Sequence, residues 1–255
     1  MRGLVATARG ALLEAAANRG SLAAQMAVMI VNDGVWIVFW SLFFRSVGTF
    51  GGWDIDGIIL LQAVLTAAGG IVLGFLANVR RVGTMALDGG LDPILTLPVP
   101  PLAHLLLRRV EPTNLGDLLF GFTLFFVAGH PTPSRTAVFL AVVVASAALV
   151  TGFLVLTGSL AFFVGRSEGG ELGFHAVLLL SAYPVDVFAG TAKLVLYTVV
   201  PAAFVATIPA RLVTDVDAGH VLGLIAASST MALAGWLAFR AGLRRYTSGN
   251  VWIRA

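Results

Sequence analysis

Cysteine is absent from the 255 residues. That excludes disulfides, thiol catalysis and cysteine-ligated metals. Charge is scarce too: 11% of residues are charged, against about 25% in a soluble domain, so there is little to cover a water-facing surface. No GxxxxGK[ST] phosphate loop or dinucleotide fingerprint occurs, so the chain has no nucleotide site of these kinds. His104, His130, His175 and His220 lack HExxH spacing and read as solitary interfacial or loop residues. The expected metal ligands and catalytic residues are therefore none. Two acid pairs, Asp54 with Asp56 and Asp215 with Asp217, fall between apolar runs and read as solvated faces. A chain built this way moves something, senses something or holds others in a membrane.

What fills the sequence is apolar. Hydrophobic residues make up 58% and the mean hydropathy is +0.93, which predicts one all-α integral membrane domain over residues 1–255. The start is a poor match to a signal peptide, which needs an uninterrupted apolar core of about 7–15 residues. Arg2, Arg9, Glu14 and Arg19 break the run. Residues 1–21 read instead as an amphipathic helix at the membrane surface. Leu4, Val5, Ala8, Leu12 and Ala16 recur at helical spacing, with Arg2, Arg9, Glu14 and Asn18 as polar positions.

A membrane span takes about 20 residues at roughly 1.5 Å rise each. The first expected span, 22–44, holds Asn32 and Asp33 in its interior. An ionisable group at that depth faces protein or water rather than lipid; two readings stand, a role along a path and a packing role alone. The second span, 58–78, carries Gln62, Thr66 and the Gly70–Gly74 step that lets another helix approach. The third, 115–128, is short and follows Pro112, with Thr113 or Asn114 as N-cap. The fourth, 136–164, is the longest, with Thr151, Thr157 and Ser159 as its polar points. Asn32, Asp33, Gln62, Thr66 and Thr151 are the candidate path or interface residues.

Residues 165–173 read as a polar turn. The fifth span starts at Phe174 but meets Pro184, Asp186 and Gly190 early, and the apolar run after it is cut by Pro201 and Pro209. Broken helices occur where backbone is buried in protein or lines an aqueous cavity. The region 183–210 is therefore expected to form two re-entrant half-helices, the alternative being a seventh span. The last span is 220–239.

With the N-terminus inside and six crossings, Arg2, Arg9, Arg19, Arg80, Arg81, Arg108, Arg109, Arg166, Arg240, Arg244, Arg245 and Arg254 all fall inside. Only Arg45, Arg135, Lys193 and Arg211 fall outside. That bias strongly favours an orientation with both termini cytoplasmic. It also accounts for the pI of about 9.9 without nucleic acid, since the arginines meet anionic lipid headgroups. The long polar insert, 79–112, is then cytoplasmic. Gly89 and Gly90 give it a sharp entry, Asp92 is an expected N-cap, and Pro93 suits a first helical turn. Ile94, Leu95 and Leu97 offer an apolar face, and Pro98, Pro100 and Pro101 stiffen the chain behind it. It is either a coupling element or an inert linker.

Three local patterns carry a resemblance. Gly89, Gly90, Leu91 and Asp92 form a Gly-x-Leu-Asp segment followed by Leu95, Pro98, Pro101 and Leu102. Tyr183, Pro184, Phe188, Ala189, Gly190, Pro201, Ala203, Phe204 and Pro209 form a second, in which Ala189 stands where a proline is usual, so the turn there is not carried over. Leu243, Arg244, Arg245, Tyr246, Thr247 and Ser248 form the third. In this order, and across nearly the whole chain, they resemble the permease subunits of the ABC-2 type, in the bacterial group labelled ABC-2 family transporter protein. The resemblance implies an ABC-2, type V exporter-like fold of six transmembrane helices with a cytoplasmic coupling helix after span two. It implies an exporter working in the bacterial inner membrane with a second permease subunit, as homo- or heterodimer. It implies separate ABC ATPase subunits that bind the ATP and Mg, so this chain holds no cofactor. Asp92, Pro93, Ile94, Leu95, Leu97 and Pro98 would meet the ATPase. The competing reading is a non-transporting scaffold or regulator of the same architecture.

Overall fold

The computed structural model describes residues 2–17 and 19–247. Asn18, Ser248 and Arg254, used above, lie outside the described residues. Among those described, the only feature beyond helices and turns is one isolated bridge between Phe50 and Trp53. The hydropathy explains this, because in an apolar medium a helix satisfies its own backbone groups.

Helix α1 is Arg2–Ala16 and α2 is Arg19–Val47. Helix α3, Ile55–Gly69, continues as a π-helical stretch, Gly70–Phe75. The expected loop is built from a 3₁₀ turn, Ala77–Arg81, and three short helices: α4 (Val82–Leu87), α5 (Asp92–Leu95) and α6 (Pro101–Leu107). Then come α7 (Pro112–Ala128), α8 (Pro133–Ser159), α9 (Ala161–Val164) and α10 (Glu168–Ser181). A bent pair follows, α11 (Gly190–Thr198) and α12 (Ile208–Thr214), the latter entered through a π-helical stretch, Ala203–Thr207. The last helix is α13 (Ala218–Leu243).

Among the described residues four helical segments are long and apolar enough to cross a membrane: Arg19–Val47, Ile55–Phe75, Pro133–Val164 and Ala218–Leu243. The bent pair makes five if it is one span, its direction turning by 68° at the break. The six expected spans are thus not reached by length and composition, since α7 has 17 residues and α10 has 14. The bend falls within 183–210 as expected, but its second arm runs on to Thr214.

Several boundaries differ from expectation for local reasons. Helix α7 starts at Pro112, with Glu111 at its cap position, so neither Thr113 nor Asn114 is the N-cap; a proline at the first helical position loses no needed N–H. Residues 165–173 are only briefly a turn. Gly165 adopts φ 72°, and a helix opens at Glu168 with Glu168 and Glu171 in its first turn, where carboxylates favour the helix dipole. His175 therefore lies inside a helix rather than in a loop. The acid pairs supply caps: Asp54 accepts from Gly57 N–H at 2.9 Å and Asp217 from His220 N–H at 2.8 Å.

The centre is α3 and α8, whose apolar faces are mostly buried, while α2 and α13 turn most of theirs outward. Glycine sets the spacing. A Cβ on Gly70 would strike the Leu118 backbone on α7, and one on Gly74 would lie 2.8 Å from the Leu115 side chain. The small-residue step thus serves close helix approach.

The charged and polar ends of the bundle are distinct. One carries α1, the 76–112 insert and the end of α13; the other carries the 48–54 turn, the bent pair and Arg135. Asp186 organises the second end. It accepts from Trp53 Nε1 at 3.1 Å, Lys193 Nζ at 3.1 Å and Arg211 at 2.6 Å. Burial pushes its carboxyl up, but the bonds from Lys193 and Trp53 and the charge of Arg211 outweigh this and hold it below the ordinary 3.8. Because the folded-state pKa is depressed, this contribution is complete above the unfolded value and fades as pH falls through the folded one. Asp186→Ala is expected to lower stability by about 1–2 kcal/mol at neutral pH, the partners being partly exposed. Melting of wild type and variant in detergent checks this: the two curves should converge as pH drops below the ordinary carboxylate range.

Candidate functional site

Two places bring the expected residues together. The first is α5. Its single turn begins with Asp92, and the residue at the cap position is Leu91, with no side-chain cap bond. Asp92 is therefore not the N-cap. Its Oδ1 instead accepts from the Tyr246 hydroxyl at 2.7 Å. Two of the three resemblance patterns, 154 positions apart, thus meet. Pro93 occupies the first turn as expected.

The expected apolar face is split. Ile94 is 1% exposed and belongs to the chain's own core, so it is not available to a partner, while Leu95 and Leu97 are 41% and 42% exposed. Pro98 is exposed beside them. In a one-turn helix adjacent residues point apart, which is why the three cannot share a face. Asn78 Nδ2 donates to Leu105 O at 3.0 Å, and the Glu111 N–H donates to Gly74 O at 2.8 Å, fastening the insert to the end of the π-helical stretch. Thr7 on α1 hydrogen bonds His104 Nδ1 at 3.1 Å. Burial, and then Arg108, push the His104 imidazole down from its ordinary 6.5. Between α1 and the insert lies a groove of about 770 Å³ lined by Glu14, Arg81, Asp88, Pro93, Arg108 and Arg109.

The second place is a cleft of about 280 Å³ between α2, α3, α7 and α10. Asn32, Asp33, Gln62 and Thr66 all line it, as does Asp117. Gln62 Nε2 donates to Ala182 O at 3.1 Å and Thr66 to Gln62 O at 2.8 Å, so one amide hydrogen and the hydroxyl hydrogen serve the fold. Asp33 and Asp117 are each 7% exposed. Asp117 Oδ2 accepts from Asn114 at 3.3 Å. Asp33 Oδ2 and Asp117 Oδ1 have no hydrogen-bond partner among the described residues. Asp117 was missed in the sequence, although the reasoning that singles out Asp33, an acid inside an apolar helix, applies to it equally. Thr151 is not here. It bonds Ala147 O at 2.8 Å and faces a separate apolar cleft beside Trp236.

The re-entrant residues divide by burial. Pro184, Pro201 and Pro209 are buried, Tyr183, Phe188 and Phe204 are half-buried, and Gly190 is exposed with φ 58° at the start of α11. Tyr183 packs edge-on against Trp36 and Trp40 of α2, joining this region to the mouth of the cleft.

A multi-pass helical bundle with a bent helical pair at one end and a platform of short helices at the other defines a membrane component. Among the described residues no group of three or more His, Asp or Glu could hold a metal ion. The chain belongs to the family described as ABC-2 family transporter protein, whose match covers residues 30–250. It is thus an ABC-2 type membrane transporter component. No curated protein and no solved structure matches it.

Proposed function

We propose that the chain is the permease subunit of an ATP-binding cassette exporter in a bacterial inner membrane. It forms a translocation path with a second permease subunit and is driven by separate ATPase subunits that bind ATP and Mg. The observation that carries this is α5: an exposed Leu95–Leu97–Pro98 edge on a proline-stiffened platform, in a chain of the ABC-2 transporter family. The Tyr246–Asp92 bond links that platform to the end of α13, so a push on α5 reaches a long apolar helix directly. The exposed apolar face of α2, including Val28, Val31, Val35 and Phe39, suits lipid and a second permease subunit.

Counting α7 and α10 as spans gives six crossings, α11 and α12 re-entering from the far side and α1 lying on the cytoplasmic surface. Helix α10 favours this count. Arg80 bonds Glu171 in its first turn at 3.1 Å, and the segment after it delivers Asp186 to Trp53 at the opposite end. Both termini are then cytoplasmic. The chain has no cysteine, so Thr247→Cys, at an exposed position, gives a clean label site. It is expected to react with membrane-impermeant maleimide only in inverted vesicles; labelling in intact cells would reverse the orientation. Co-purification with an ATPase and ATP hydrolysis in lipid test the assignment as a whole, and isolation of a stable complex with a non-ATPase partner alone would favour the scaffold.

A further inference from the structure

We propose that the cleft between α2, α3, α7 and α10 binds an amphiphilic organic ammonium ion, its charged head held between Asp33 and Asp117 and its apolar body against Trp36 and Phe174. This rests on the reading that the cleft belongs to the translocation path.

Two carboxyl groups from different helices converge in one cleft, each 7% exposed. One oxygen of each, Asp33 Oδ2 and Asp117 Oδ1, is buried with no hydrogen-bond partner among the described residues. Such atoms cost free energy unless something donates to them. Among the described residues no lysine or arginine lines the cleft, and His175 is the one nitrogen base there. The missing complement is therefore a positive donor from outside the chain. An ammonium group offers up to three N–H donors to two acceptors and a positive charge to two buried carboxyl groups.

The rest of the wall decides between an inorganic and an organic cation. A hard metal ion takes about six oxygen ligands. Among the described residues no third acid or histidine joins the pair in a group that could hold a metal ion. Beside the polar Asn32 and His175, the rest of the lining is mostly apolar and includes Trp36, Phe174 and four leucines, a surface for an apolar body and for cation–π contact. A volume of about 280 Å³ fits an aryl-alkyl amine rather than a bare ion.

The test compares 4-phenylbutylammonium with the similarly sized alcohol 4-phenylbutanol, by calorimetric titration into the purified permease in lipid nanodiscs. The amine is expected to bind roughly tenfold or more tighter than the alcohol. Asp33→Asn and Asp117→Asn should each remove most of that preference while alcohol binding persists, which also shows that the variants are folded. Asp56→Asn, at an exposed acid, should change nothing. Equal binding of amine and alcohol, or an amine preference that survives both cleft variants, overturns the proposal. So does displacement of the amine by sodium or calcium at equal concentration, which would make this an inorganic-cation site. Binding is read on the permease alone, so failure of ATPase coupling leaves this result interpretable, and failure here leaves the coupling assignment standing.

Discussion

Leu95→Asp is expected to strip the ATPase from the purified complex and abolish transport, while the permease still inserts and associates with its partner. Leu95 is 41% exposed on a one-turn helix and makes no polar bond that the change would break. The permease's own fold therefore loses little. Buried under an ATPase, the same carboxylate is an unpaired charge in an apolar contact. That costs about 3 kcal/mol or more, roughly a hundredfold in affinity. ATPase retention on an affinity-tagged permease, with permease recovery and melting measured on the same preparation, checks it. If retention and transport stay at wild-type level, α5 is not the coupling element, and the segment from Gly165 into the start of α10, at the same end of the bundle, becomes the next candidate.

The neighbouring residue gives the control. Ile94 is 1% exposed and lies in the core with Leu91 and Leu105. Ile94→Asp places its charge inside the permease, so the loss should appear as unfolded or degraded permease rather than as ATPase release. The two substitutions, one residue apart, separate a surface effect from a folding effect.

The long elements could be read from the sequence because their cause is local. A run of apolar residues near 20 long has one stable arrangement in a membrane: α2 and α13 extend only a few residues beyond the expected ranges, and α8 with α9 covers the expected fourth span. What could not be read is set by contacts far apart in the chain. A helix of four residues has no period to reveal a buried side, so nothing near Ile94 distinguishes it from Leu95. The same holds for Asp92, whose sequence neighbours suggest a cap but whose partner, Tyr246, arrives at the end of α13. Asp186 looked like an interruption in an apolar run, and it is the acceptor for Trp53, Lys193 and Arg211. Of the cleft, Asn32, Asp33, Gln62 and Thr66 were identified by polarity inside spans, and Asp117 met the same criterion unnoticed. Thr151 met it too, but its hydroxyl bonds its own helix, the usual fate of a threonine in an apolar helix.

The largest effect on the fold itself should come from Gly152→Leu. Helix α13 is the most peripheral of the long helices together with α2, and it docks along α8. A Cβ on Gly152 would lie 2.5 Å from Ala232 N and from the Met231 backbone, and one on the facing Gly235 would strike Gly152 O. The obstructing atoms are backbone, so no rotamer change relieves the overlap and the helices must separate. Separation also strains the Ser228 hydroxyl bond to Ala145 O, 3.0 Å, and carries Tyr246 away from Asp92. The expected loss is roughly 3 kcal/mol or more, seen as a lower melting temperature and aggregation on size-exclusion chromatography. Gly34→Ala on α2 is the contrast. Nothing lies within 4 Å of its added Cβ, so the variant should be unchanged or gain about 0.5–1 kcal/mol from the better helix former. If Gly152→Leu melts like wild type, α8 and α13 are not in the backbone contact described, and the route from α5 through Tyr246 into α13 loses its anchor.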